Sequence, residues 1–95
     1  MYVVVRRYTV AGSSEELIRW GKEEFLPIFK GLPGFRGLHV ADSGGRAVIS
    51  ISLWDSKIAA RRASKMASEW VSKSAIGLAP FPPDILEGDT VVDIP

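Results

Sequence analysis

The chain has a single histidine, His39, and no cysteine, so a general acid or base working near neutral pH would most simply be that imidazole. The same inventory removes several chemistries. Without Cys there is no disulfide framework and no thiolate zinc site, and one His cannot build a multi-histidine metal site within a subunit. A magnesium or calcium site made of carboxylates would need a ligand loop, and no such motif is present. Asn and Gln are missing as well, a bias that thermophile composition and genomic bias produce alike, and one that matters for any mechanism built on a side-chain amide. Arg6, Arg7 and Tyr8 in the opening stretch YVVVRRYTV remain for contacting an anionic or phenolic ligand, with a structural use at a strand edge as the first reading. A second group, Phe35, His39, Ser50, Ser52 and Trp54, is spread over two alternating runs in the middle of the chain.

Those runs, Phe35 to Trp54 about Gly44-Gly45, decide what each face of a sheet presents. A two-residue turn at Gly44-Gly45 sets Ser43 opposite Arg46. Val40 then meets Ile49 and Leu38 meets Ile51, with Ala47 and Leu53 on the same side, which reads as the core face. The other side receives Ala41 with Val48, His39 with Ser50, Gly37 with Ser52 and Phe35 with Trp54. Small, partly polar and aromatic at one end, it is expected to be the open face. His39 beside Ser50 invites a nucleophile reading, but facing strand neighbours hold their side chains in parallel. No third group orients the imidazole and no backbone donor pocket lies nearby, so packing or an interface is the expected role.

The flanking elements follow from periodicity. Residues 2 to 10 are β-branched and aromatic and read as a first strand, with Arg6 and Arg7 on opposite faces. Ser13 and Glu16 have capping-box spacing, and Leu17, Gly21, Phe25, Ile28 and Leu32 make a helical stripe. Pro27 inside it conflicts with the carbonyl of Glu23, which predicts a kink or a second short helix after residue 26. Asp55 or Ser56 caps a second helix to about Ser74, with Ala59, Ala63, Met66, Ala67, Trp70 and Val71 inward and Arg61, Arg62 and Lys65 on a solvated side, Lys65 in register with Glu69. Trp20, Phe25, Phe29, Met66 and Trp70 have the spacing of core residues, one or two of which line a cavity between helices and sheet. After the proline-rich loop 77–84, a last strand is expected from Ile85 to Ile94, broken near Gly88-Asp89. Strand, helix, strand, strand, helix, strand is the ferredoxin-like α+β arrangement, a four-stranded antiparallel sheet with both helices on one face.

The opening YVVVRRYTVAGS, the LPGFRG turn at 32–37 and the SLWDS junction at 52–56 together resemble the antibiotic biosynthesis monooxygenase-like domains of the dimeric α/β barrel group, over nearly the whole chain. The resemblance implies that two subunits pack their open sheet faces into a barrel, and that active relatives are cofactor-independent oxygenases or haem degraders acting on small aromatic or reactive metabolites. Carried over by position, the first-strand Asn of the oxygenases falls at Val5, and the haem degraders' helical Trp falls at Ala63 on a helix without His. Trp54 matches the family Trp closing the third strand, while the acidic residue two positions earlier is Ser52. Its expected role is to close one end of the barrel, with a ligand wall as the second reading.

Ninety-five residues make one domain, 1–95, and 46% hydrophobic residues with a mean hydropathy of +0.12 suit a chain that hides apolar surface by pairing with itself. Twelve basic against eleven acidic residues leave a formal charge of +1, which draws the chain to neither nucleic acid nor membrane. An RNA-recognition module would need stacking rings where Val48, Ser50 and Ser52 stand, and acylphosphatase-like chemistry needs the absent Asn; a small regulatory amino-acid-binding domain stays open. The expected protein is a cytoplasmic homodimer, paired through the open face, that binds a small apolar or aromatic metabolite without metal or cofactor. The alternative is a cofactor-independent monooxygenase or isomerase acting on a quinol-type substrate. The catalytic candidates are His39, Trp54 and Tyr8; the candidate ligand contacts are Arg6, Arg7, Phe35, Ser50, Ser52 and Trp54.

Overall fold

Strands β1 (Tyr2–Thr9), β2 (Phe35–Gly44), β3 (Ala47–Trp54) and β4 (Asp84–Asp89) pair antiparallel in the order β2-β3-β1-β4, in a computed structural model that describes residues 1–75 and 77–95. All helices lie on one face of this sheet, the ferredoxin-like α+β arrangement that the element order predicts.

The first helical leg starts as predicted. The Ser13 side chain accepts the Glu16 backbone N–H at 3.4 Å and opens α1 (Ser14–Trp20). Pro27 supplies no N–H, and the chain widens ahead of it into a π-helical segment, Gly21–Phe25, in which the Leu26 N–H reaches back to the Gly21 carbonyl. The short helix expected beyond residue 26 is α2 (Leu26–Lys30). The second leg, α3 (Lys57–Ser74), is capped by Ser56, whose hydroxyl accepts the Ala59 N–H at 3.2 Å. Ala60, Ala63 and Ala67 bring it down close to the sheet. Arg61, expected among solvated cations, instead donates from Nε to Glu87 Oε1 at 2.8 Å, and that carboxylate also accepts the Tyr2 hydroxyl at 2.9 Å. This clasp ties α3 to β1 and β4.

Two expectations about the hairpin are corrected. The turn lies at Gly45-Arg46, both with positive φ, rather than at Gly44-Gly45. Ser43 is squeezed out between the pairs Asp42–Val48 and Gly44–Ala47, held by a Gly44 N–H to Asp42 Oδ1 bond and a Ser43 Oγ to Ala47 carbonyl bond, each 3.1 Å. Phe35 still meets Trp54, as predicted, but a second irregularity at Arg36 leaves the strand between them displaced by one residue. Leu38 therefore pairs with Ser52, Val40 with Ser50 and His39 with Ile51.

A one-residue slip exchanges faces. Val48, Ser50, Ser52 and Trp54, together with Phe35, look toward the helices and are not the open face; Trp54 is fully buried and Ser52 nearly so. Ile49, Ile51 and Leu53, expected in the core, lie with Val3, Val5 and His39 on the side that no described element covers. The core beneath α2 and α3 is built on Trp54, which meets Phe29 and Phe35 edge-on at centroid distances of 5.0 and 5.5 Å. The last strand stops at Asp89 rather than Ile94: after a Thr90 N–H to Met1 carbonyl bond of 2.8 Å, Val91, Val92 and Ile94 project from the fold.

Candidate functional site

Small serines on the helix side of β3 leave room beneath the helices. A cavity of about 320 Å³ lies there, within the chain. Leu17, Ile18, Phe25 and Phe29 of the first helical leg and Trp70 and Val71 of α3 form its apolar walls, over a sheet floor that includes Leu38, Val40 and Val48. The π-helical segment sets Phe25 against Phe29 and Trp70, at centroid distances of 4.7 and 5.3 Å. Three of the helically spaced aromatics, Phe25, Phe29 and Trp70, line this cavity between helices and sheet, against the one or two expected.

Few polar groups reach this space. Arg6, Tyr8 and Ser50 come from the sheet, and Lys22 from the π-helical segment. Arg6 is only 3% exposed, and its guanidinium donates to the Ser64 hydroxyl. Burial lowers its pKa from the ordinary value, an effect that the nearby Tyr8 and Glu87 oppose. Burial raises the Tyr8 phenol, and Arg6 works against that rise. Among the described residues, Trp70 Nε1 is buried without an acceptor.

The remaining candidates lie elsewhere. Arg7 points to the other face and pairs with Asp84 at the surface. His39 is exposed on the uncovered face beside Ile51, away from Ser50. Phe35 and Trp54 belong to the aromatic core, and Ser52 is buried with its hydroxyl 3.5 Å from the Val4 carbonyl. Val5, the position matched to the oxygenases' first-strand Asn, also faces away; Arg6 and Tyr8 are the β1 residues at the cavity. Sequence reasoning placed Ser50 on the wrong face and missed Leu17, Ile18, Val40 and Val48 as lining. The Asp-x-Gly of Asp42 to Gly44, which holds the bulge, is the signal that pointed to the right register. Among the described residues, no three His, Cys, Asp or Glu side chains are grouped to hold a metal ion, and no helix is long and apolar enough to cross a membrane.

No model of a known protein family matches the chain, and no curated protein sequence does. Solved structures do. A monooxygenase from the gene ActVA-Orf6 of Streptomyces coelicolor, bound to nanaomycin D, is 21% identical with a TM-score of 0.77, over 98% of this chain and 89% of its own. SnoaB, a cofactor-independent oxygenase from Streptomyces nogalater, is 20% identical with a TM-score of 0.78, over 99% and 96%. A provisionally assigned antibiotic biosynthesis monooxygenase from Nitrosomonas europaea is 14% identical with a TM-score of 0.75, over 97% and 100%. At these identities it is the fold that is shared, and the chain has the fold of the antibiotic biosynthesis monooxygenase-like proteins.

Proposed function

We propose that this protein is an antibiotic biosynthesis monooxygenase-like homodimer that binds a small apolar or aromatic metabolite in the cavity between its helices and its sheet. The cavity carries the reading: at about 320 Å³ it lies in the range of roughly 300–1,000 Å³ usual for ligand pockets, with apolar and aromatic walls and a few convergent polar groups. Pairing is supported by the uncovered sheet face, where Val3, Val5, Ile49, Ile51 and Leu53 are only half-buried and Leu86 is 75% exposed. The surface of 6064 Å² also exceeds the roughly 5,400 Å² expected of a monomer of this mass, in part through the projecting tail. A second copy laid on that face would cover the apolar strip.

The enzymatic alternative is favoured by the convergence of Tyr8 and Arg6 on the same space. In that version dioxygen would be the oxidant and a quinol the source of electrons, one oxygen atom entering the product and the other leaving as water. Titration with 2-naphthol tests the binding reading, with tryptophan fluorescence as the signal because Trp70 lines the cavity. Saturable quenching is expected, and Val40→Trp, which fills the cavity from its rim, is expected to abolish it. If the wild type shows saturable binding of neither 2-naphthol nor its analogues with an amide or carboxylate head, the reading fails. Oxygen uptake with a panel of hydroxylated naphthoquinols that Val40→Trp suppresses would establish the oxygenase version instead.

A further inference from the structure

Arg6 is a buried cation without an acid. Among the described residues the other arginines in ion pairs meet their carboxylates at the surface: Arg7 with Asp84, Arg36 with Asp55 and Arg61 with Glu87. Arg6 is more buried than any of these and, among the described residues, has only the neutral Ser64 hydroxyl for a hydrogen-bond partner. Glu87, the acid that acts on it at a distance, is already held by Tyr2 and Arg61. Among the described residues no Asp or Glu lines the cavity, while a second cation, Lys22, lines it and is exposed. A guanidinium stays protonated even when buried, so its lost hydration is not relieved by giving up a proton.

We infer that the cavity takes ligands with a single anionic head, a carboxylate, seated on Arg6 with the apolar body against Phe25, Phe29 and Trp70. This rests on the cavity being a ligand site. The planar guanidinium fork matches a carboxylate, and one buried positive charge balances a monoanion, whereas a phosphate dianion would leave excess negative charge in an apolar space. Tyr8, which also lines the cavity, supplies a hydroxyl as a further donor that such a head can accept. Lys22 adds attraction for anions at the approach.

Three probes share one ring system and differ in the head: 2-naphthoate, its neutral amide 2-naphthamide, and 2-naphthol. Calorimetric or fluorescence titration of the wild type is expected to give 2-naphthoate an advantage of at least about tenfold over 2-naphthamide. Arg6→Met is expected to remove that advantage by weakening 2-naphthoate alone, and Arg6→Lys to keep part of it. The wild-type comparison of acid and amide needs no variant, so it stands even if Arg6→Met does not fold. Equal affinities in the wild type, or an acid preference that survives in Arg6→Met, would overturn the anionic seat and leave the cavity reading intact. Binding of none of the three would overturn the cavity reading, and the inference with it.

Discussion

Gly34 shows how one residue fixes the route of the chain under α3. Its φ is +83°, and a Cβ added there would lie 2.7 Å from the Ala59 Cβ, while its carbonyl accepts the Asp55 N–H at 2.9 Å. Neither the conformation nor the space suits a side chain. Gly34→Ala is expected to cost about 1–3 kcal/mol, read as a lower urea midpoint with an unchanged slope. Glu87 gives a pH-dependent case. Its pKa is lowered chiefly by the hydrogen bond from Tyr2, with Arg61 adding to the effect. A carboxyl depressed in the fold contributes stability above its unfolded value of about 4.3, and that stability is lost as pH falls through the folded value. Glu87→Gln is therefore expected to be less stable than wild type at pH 7 and to converge with it on acidification below about pH 4, measured by urea denaturation across pH. The Arg61 side chain is 59% exposed, so added salt should weaken only a minor part of the difference.

At the scale of elements, the two helical legs differ in how much of them local chemistry dictates. α3 is held by its cap and its small-residue face, and Ser56→Ala is expected to lower stability by about 1 kcal/mol, seen as a lower melting temperature and urea midpoint. The first leg carries a conflict, because Pro27 interrupts an otherwise continuous apolar stripe. That a break occurs there was legible from the ring and its missing N–H. That the chain resolves it with a wider turn was not, since a kink, a separate helix and a π-helical segment all answer the same local clash. Tertiary packing selects among them, and the selected form places Phe25 between Phe29 and Trp70. The hairpin carries a second conflict. The Gly45-Arg46 turn holds a non-glycine residue at φ 66°, a strain of about 1–2 kcal/mol. The pairing that this turn permits puts Trp54 and Val48 under the helices.

For the molecule as a whole, the more aliphatic side of the sheet is the side left bare. The helices cover serines, aromatics and a cavity, whereas Val3, Val5, Ile49, Ile51 and Leu53 lie half-buried on the side that no described element covers. Sedimentation equilibrium is expected to give twice the chain mass of 10.4 kDa. Ile51→Arg, which sets a charge at the centre of that face, is expected to yield a folded species of single mass. A wild-type protein that remains single at working concentration would overturn the pairing, while the cavity, which lies within a single chain, would stand.

The order of elements, both helix starts, the break at Pro27 and the absence of a thiol, a side-chain amide or a second imidazole are all written in the sequence, because each depends on residue type and short-range spacing. So is the separation of Arg6 from Arg7 onto opposite faces, since that follows from the period of two in any strand. Which of the two goes inward required the tertiary structure. Both alternating sets of β3 contain apolar residues, so patterning alone did not say which set the helices would cover, and one extra residue at Ser43 with another at Arg36 displaced the pairing between them. That displacement took His39 out of the candidate site and brought Ser50 and Val40 to the cavity with Arg6, a result of long-range packing that no local window contains.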